Sequence, residues 1–229
     1  MSYRTRLGKD LKRRKAGGLE FLDLVLDPGD SIVRSVPLHV IHLDQDDPKK
    51  CTSRKLHQSG LINLHESANS APRRGYLLDP RAKTVLAPED GGLISLGGSI
   101  VVLDCSWKHI EESLDLINGR TRLEGRILPL LLAANPVSWG KVGRLSSAEA
   151  LGASLAILGL WEQARAVVEP FPFGNQFLDL NREPLEAYSS ADSRTEILEI
   201  QTEFFNCEDT LDGVSCTNQG VSSRPTFVR

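Results

Sequence analysis

The sequence predicts an α/β protein with a parallel sheet followed by a mainly helical second half, and three observations predict it. Two short uncharged runs, residues 36–43 (VPLHVIHL) and 99–103 (SIVVL), are each followed by a polar loop. A third run, residues 127–134 (ILPLLLAA), ends in the same way at Asn135-Pro136. Helical periodicity intervenes, and strands without charges suit a sheet covered on both faces.

The first element is basic. Arg4, Arg6, Lys9, Lys12, Arg13, Arg14 and Lys15 meet one acid, Asp10, before Gly17-Gly18. Two readings stand for residues 1–35: a solvated terminal arm, or an arm that neutralises phosphates. Residues 36–43 then read as a strand, closed by the acidic turn Asp44-Gln45-Asp46-Asp47-Pro48. Residues 99–103 read as a second strand, with Gly97-Gly98 before it and Asp104-Cys105-Ser106-Trp107 after it. A helix over 106–117 follows, from Ile110, Leu114 and Ile117 on one face to the breaker Gly119. The run 127–134 reads as a third strand.

At Ser146 the pattern changes. Ser146 and Glu149 form a capping box, and an Ala/Leu-rich stretch runs to Pro170, predicting a helix or a pair split near Gly159. Further helical signals cover 183–187 and 194–205, and the Ser/Thr/Gly-rich remainder reads as weakly ordered. The expected organisation is a basic arm (1–35), an α/β domain (36–142), a helical domain (143–200) and a tail (201–229).

Charge is unevenly spread. Residues 1–150 carry 22 Lys+Arg against 18 Asp+Glu, whereas residues 151–229 carry 5 against 12. The first half is therefore the one expected to face a polyanion. Cys51, Cys105, Cys207 and Cys216 are scattered and read as reduced thiols, with no zinc or disulfide framework. The N-terminus is basic and no apolar run is long enough for a membrane span, so a cytoplasmic, non-membrane protein is the default.

Ligands in parallel α/β sheets bind beyond the carboxyl ends of the strands. Three junctions stand there: Lys49 to Lys55, Asp104 to Lys108, and Asn135 to Lys141. Each mixes hydroxyls with cations, a chemistry suited to carboxylate or phosphate. Asp104 adds a possible base and Trp107 a stacking plate. No Gly-x-Gly-x-x-Gly or Walker pattern is present, which argues against a dinucleotide site or a nucleoside triphosphatase.

The ordered set of motifs resembles one family. It comprises Asp47-Pro48-Lys49-Lys50-Cys51-Thr52 with Leu56, Leu78-Asp79-Pro80 with Pro88-x-Asp90, and Val101-Val102-Leu103-Asp104-Cys105-Ser106-Trp107-Lys108. It continues with Arg126-x-Leu128-Pro129, Ala133-Ala134-Asn135-Pro136-Val137 through Gly140-Lys141, and Leu145-Ser146-Ser147-Ala148-Glu149-Ala150. Phe173-Gly174-x-x-Phe177-Leu178-x-Leu180-Asn181 and Tyr188 close it. These resemble the small-subunit ribosomal RNA aminocarboxypropyltransferases of ribosome biogenesis, over about residues 36–190. Ala87, Trp139 and Phe173 depart from the residues usual in that family and look like pocket or packing variants.

The resemblance implies a fold similar to the knotted SPOUT methyltransferases, with S-adenosylmethionine held by loops of a trefoil knot. It implies that Thr52 receives the methionine carboxylate and that the backbone of Leu103 meets the ribose. Leu78, Leu128, Leu145 and Ala150 wall the adenine, and Trp139 and Ser147 complete the pocket. Trp107 sits beside the reactive part of the cofactor. Asp104 has two implied roles, holding the amino group or accepting a proton, and a third as the cap of the following helix. Glu149 reads as a capping acid. The implied reaction moves the aminocarboxypropyl group to N3 of a uridine or pseudouridine in a small-subunit rRNA loop, without a metal. The rivals are a SPOUT-like RNA methyltransferase and a non-catalytic pre-rRNA assembly factor. Lys49, Lys50, Arg54, Lys55, Arg73, Arg74, Lys108 and Lys141 are the candidate RNA contacts, with Arg120 and Arg122 beside them. The partner expected for this chain, taken as a monomer, is small-subunit rRNA or the pre-ribosomal particle.

Overall fold

The computed structural model describes residues 25–26, 32–33, 35–43, 51–105, 110–117, 119–210 and 213–218. The chain falls into two compact units, Met1–Arg34 and Ser35–Arg229. Of the first, the antiparallel pair β1 (Val25–Leu26) and β2 (Ile32–Val33) is described. The basic cluster Arg4 to Lys15 lies outside the described residues.

The second unit is built on a five-stranded sheet of β3 (Leu38–His42), β4 (Asn63–His65), β5 (Gly75–Leu78), β6 (Ser99–Asp104) and β7 (Glu124–Arg126). Their order is β4-β3-β6-β5-β7, and every pairing is parallel. Alternation explains the uncharged runs. Leu38, Val40, Ile100 and Val102 face one apolar cluster, whereas Ile41 and Val101 face the other with Leu114 and Ile117. Both faces are covered, so neither set of side chains is left for water.

Around the sheet stand α1 (Thr52–Gln58), α2 (Gly91–Ser95) and α3 (Ile110–Ile117). After β7 the chain is helical: α4 (Ser147–Ile157), α5 (Trp161–Val168), α6 (Gly174–Leu180), α7 (Arg182–Ser190) and α8 (Arg194–Phe204). The predicted capping box is present, with Ser146 N–H donating to Glu149 Oε2 at 2.7 Å. The predicted split falls at Gly159, whose φ of 78° is left-handed and ends α4. Nine of the eleven residues of α4 are buried, so this helix is apolar nearly all round. Gly152 lets α5 approach, since a Cβ there would lie 2.6 Å from a Val168 methyl.

Three sequence expectations are corrected. The run 127–134, read as a third strand, makes only isolated bridges at Ile127 and Leu132; the neighbouring strand is β7, just upstream of it, and Leu131 to Ala134 are buried outside the sheet. Pro129 has no N–H for a ladder, and side chains of the helical half satisfy the neighbouring backbone. Asn181 accepts from Leu132 N–H at 2.7 Å and donates to Leu132 C=O at 2.9 Å. Tyr188 donates its hydroxyl to Leu130 C=O at 3.1 Å, and Gln201 accepts from Leu130 N–H at 2.9 Å. Second, α1, α6, β4 and β5 lie where no element is expected; each has seven residues or fewer, too short to show a period. Third, the tail, read as weakly ordered, contains an antiparallel pair, β8 (Phe205–Thr210) and β9 (Gly213–Asn218).

Candidate active site at the carboxyl ends of β3 and β6

The two central strands end side by side, with His42 of β3 paired in register with Asp104 of β6. Asp104 is 9% exposed and collects three donors. His42 Nδ1 lies 3.0 Å from Oδ2, Cys51 Sγ lies 3.3 Å from the same oxygen, and Ser147 Oγ donates to Oδ1 at 2.9 Å. A carboxylate accepts, so Nδ1 of His42 carries the hydrogen. Burial pushes the Cys51 thiol above its ordinary value, with Asp104 adding to the effect, which keeps it a protonated donor. Cys51 also caps α1, accepting from Arg54 N–H at 3.4 Å. One acidic group thus joins β3, β6, the start of α1 and the start of α4.

The loop from Ala134 to Ser146 is held by a second buried carboxylate. Glu149 accepts from Ala134 N–H at 2.7 Å, Asn135 N–H at 2.9 Å, Asn135 Nδ2 at 2.7 Å and Ser146 N–H at 2.7 Å. It is therefore more than a cap, because it folds the third junction back onto α4.

Of the residues expected at the site, Leu78, Leu128, Leu145 and Ala150 belong to the large main apolar core. Thr52 opens α1, half-buried, beside Cys51, and Ser147 touches Asp104. Trp139 is 37% exposed on the third junction. The Leu103 side chain packs against the cluster on the other face of the sheet, and its backbone is paired in register with Ile41 of β3. Trp107, Lys108, Lys49 and Lys50 lie outside the described residues. Lys55 places its ammonium 5.0 Å from the centre of the Phe171 ring, Arg54 is half-buried on the same helix, and Lys141 is exposed on the third junction. Arg73 and Arg74 immediately precede β5, at the opposite end of the sheet from Asp104.

Sequence reasoning missed His42, Cys51 as a partner of Asp104, and Asn181. A signal for His42 was available, as a polar residue near the end of the first apolar run, but strand pairing decides which residue of the second run it meets. No spacing in the sequence marks a ligand cluster, yet His42, Cys51 and Asp104 bring potential metal-ligating atoms within 4.8 Å of one another. Their contacts with Asp104 have hydrogen-bond lengths, which accounts for the grouping without an ion.

A parallel α/β protein with a polar cluster beyond its two central strands belongs to the class that binds a small ligand at the sheet's carboxyl edge. Residues 76–205 match the family described as "Ribosome biogenesis protein, C-terminal". The "16S rRNA aminocarboxypropyltransferase" of Methanosarcina mazei is 46% identical over 171 residues, covering 75% of this chain and 96% of that protein. The protein of the same name from Methanosarcina acetivorans is 44% identical, covering 75% and 95%. Among solved structures, the SAM-dependent rRNA:acp-transferase Tsr3 from Vulcanisaeta distributa superposes with a TM-score of 0.63 at 32% identity, covering 74% of this chain and 98% of that one. The chain belongs to the small-subunit rRNA aminocarboxypropyltransferase family. A shorter match, residues 36–67, is to a "Possible Fer4-like domain in RNase L inhibitor". That stretch holds a single cysteine, Cys51. Iron–sulfur clusters take about four thiolates, so its side chains do not fit one.

Proposed function

We propose that this chain transfers the 3-amino-3-carboxypropyl group of S-adenosylmethionine to N3 of a uridine- or pseudouridine-type base in small-subunit rRNA, leaving methylthioadenosine. The observation that carries the reading is the likeness to the rRNA aminocarboxypropyltransferases, 46% identical along nearly the whole of one relative. The matched family region contains Asp104 and Ser147.

The residues present fit the donor. An ionised carboxylate offers about four acceptor positions, and three are taken at Asp104, so one remains for the donor's ammonium. Apolar Leu78, Leu128, Leu145 and Ala150 supply flat walls for adenine, and the Leu103 backbone meets the ribose. Thr52 accepts the role of binding the methionine carboxylate, with Trp139 and Ser147 completing the pocket and Trp107 beside the reactive carbon. When bound, the sulfonium activates each of its S–C bonds, so the carbon that faces the nucleophile decides the product.

The bond from N3 to the γ-carbon forms as the bond from that carbon to sulfur breaks, sulfur keeps the electron pair, and the N3 proton leaves to a base. Asp104, already saturated by donors on one oxygen, orients the aminocarboxypropyl arm. The acceptor must be unstacked, which a loop nucleotide allows at low cost. On this reading residues 36–142 carry the cofactor loops, residues 143–200 complete the site, and the backbone carries the family's trefoil knot. The protein acts as a monomer in the cytoplasm on rRNA or the pre-ribosomal particle, guided near the site by Lys49, Lys50, Arg54, Lys55, Lys108 and Lys141. No helix among the described residues is long and apolar enough to cross a membrane.

The test is incubation of the protein with unmodified small-subunit RNA and S-adenosylmethionine labelled separately in the methyl and carboxypropyl carbons. Carboxypropyl label in RNA with methylthioadenosine released is the expected result. Methyl label with S-adenosylhomocysteine, or no transfer, overturns it.

A further inference from the structure

The arginines of this fold divide into two groups. Arg81, Arg126, Arg165, Arg182 and Arg194 are each paired with carboxylates, and Arg54 and Arg144 also have partners. Arg73, Arg74, Arg120 and Arg122 are exposed and have no side-chain hydrogen bond or ion pair among the described residues. All four stand at one place. Arg73 and Arg74 precede β5, Arg120 and Arg122 precede β7, and the two strands are parallel neighbours. The nearest acid on β7, Glu124, is taken by Arg126 at 2.8 Å.

Between these arginines lies a cavity of about 210 Å³ lined by Arg73, Arg120 and Arg122, with Asn69 and Thr121 adding polar groups. That is several times the roughly 30 Å³ share of one water. Like charges gathered around a cavity repel one another unless an anion separates them, and guanidinium forks match phosphate oxygens.

We propose that this cavity holds backbone phosphates of the rRNA substrate, as a second contact remote from the reacting base. The inference rests on the reading that the substrate is RNA. The cavity adjoins the start of the sheet, where Ser99 N–H of β6 bonds Arg74 C=O at 3.1 Å. Asp104 ends the same strand five residues later, about 17 Å away along the strand direction at ~3.3 Å per residue. One folded RNA element can span that distance. The contact is to the sugar-phosphate chain, so it adds affinity and orientation without reading sequence.

The experiment compares the full chain with R73E/R120E/R122E, measuring affinity for unmodified small-subunit RNA from 50 to 200 mM salt, with S-adenosylmethionine binding followed by calorimetry. Each phosphate contact contributes about 0.7–0.9 to the log–log salt slope, so the triple variant should lose about two to three from the slope. Its RNA affinity should fall at least about tenfold, and the KM for RNA should rise while kcat and cofactor affinity hold. The lysine variants R73K/R120K/R122K should regain most of the slope. Unchanged slope and affinity in the triple variant overturn the proposal, as does an equal loss from R165E, which reverses an exposed charge elsewhere. If the triple variant loses cofactor binding through misfolding, R120Q/R122Q gives the same comparison, with a slope loss of about one to two expected and no loss overturning the proposal. Wild-type protein that binds no RNA overturns the RNA reading and this site together, whereas variants that keep the wild-type RNA affinity, salt slope and KM overturn this site alone.

Discussion

Asp104 shows how one side chain can set the geometry of a site. Its three donors come from three parts of the chain, and removing one leaves a buried acceptor short and its orientation loose. His42→Ala should weaken S-adenosylmethionine binding about tenfold, or ~1.4 kcal/mol, whereas His42→Gln, which keeps a donor, should restore most of the loss; calorimetric titration of both reads the difference. Glu149 acts in the same way on the backbone. It is fully buried with four donors, so Glu149→Ala should destabilise the protein by about 3 kcal/mol or more through the stranded N–H groups, visible as a lower midpoint in thermal melts. The capping role of Glu149 was legible in Ser146-x-x-Glu149. Its hold on Asn135 was not, because fourteen residues separate them and only the fold makes them neighbours.

At the scale of elements, pairing decides behaviour that composition leaves open. β3 and β4 bring the rings of His39 and His65 to a centroid distance of 5.1 Å, with Nδ1 and Nε2 2.8 Å apart. Burial, with His65 adding its charge, holds His39 down at about 4. An unfolded chain protonates His39 near 6.5, so between about 6.5 and 4 the unfolded state binds more protons and stability falls as pH falls. Melting temperature should therefore decline on acidification through that window, and His39→Asn should flatten the decline. The helix pair α4–α5 makes a different demand. Gly152→Val would press side-chain atoms into Val168, an overpacking that should cost about 1–3 kcal/mol in denaturant titration. The split at Gly159 could be read from sequence because a breaker acts locally, whereas the close approach at Gly152 depends on where α5 returns.

For the whole molecule, the sheet and the helical half are joined by buried polar groups as well as by the apolar core. Asp90, 2% exposed, accepts from Arg126 Nε at 3.1 Å and 3.2 Å, from Ala87 N–H at 3.1 Å, and from Arg194 at the start of α8. Arg194 also bonds Val85 C=O at 3.2 Å. Asp90→Ala should cost about 3–5 kcal/mol, because two guanidinium groups lose their shared acceptor, and chemical unfolding would measure it. By itself the sequence determined the alternation of uncharged strands with polar junctions, the capped helix from Ser146, the break at Gly159 and the motifs that mark the family. These signals are periodic or contiguous, so they survive without a fold. Only the tertiary structure decided that β7 forms upstream of the third apolar run, that His42 and Cys51 converge on Asp104, and that four arginines without an ion pair among the described residues meet at the far end of the sheet. Those are contacts between distant segments, and parallel strand order, which no local preference encodes, determines which segments become neighbours.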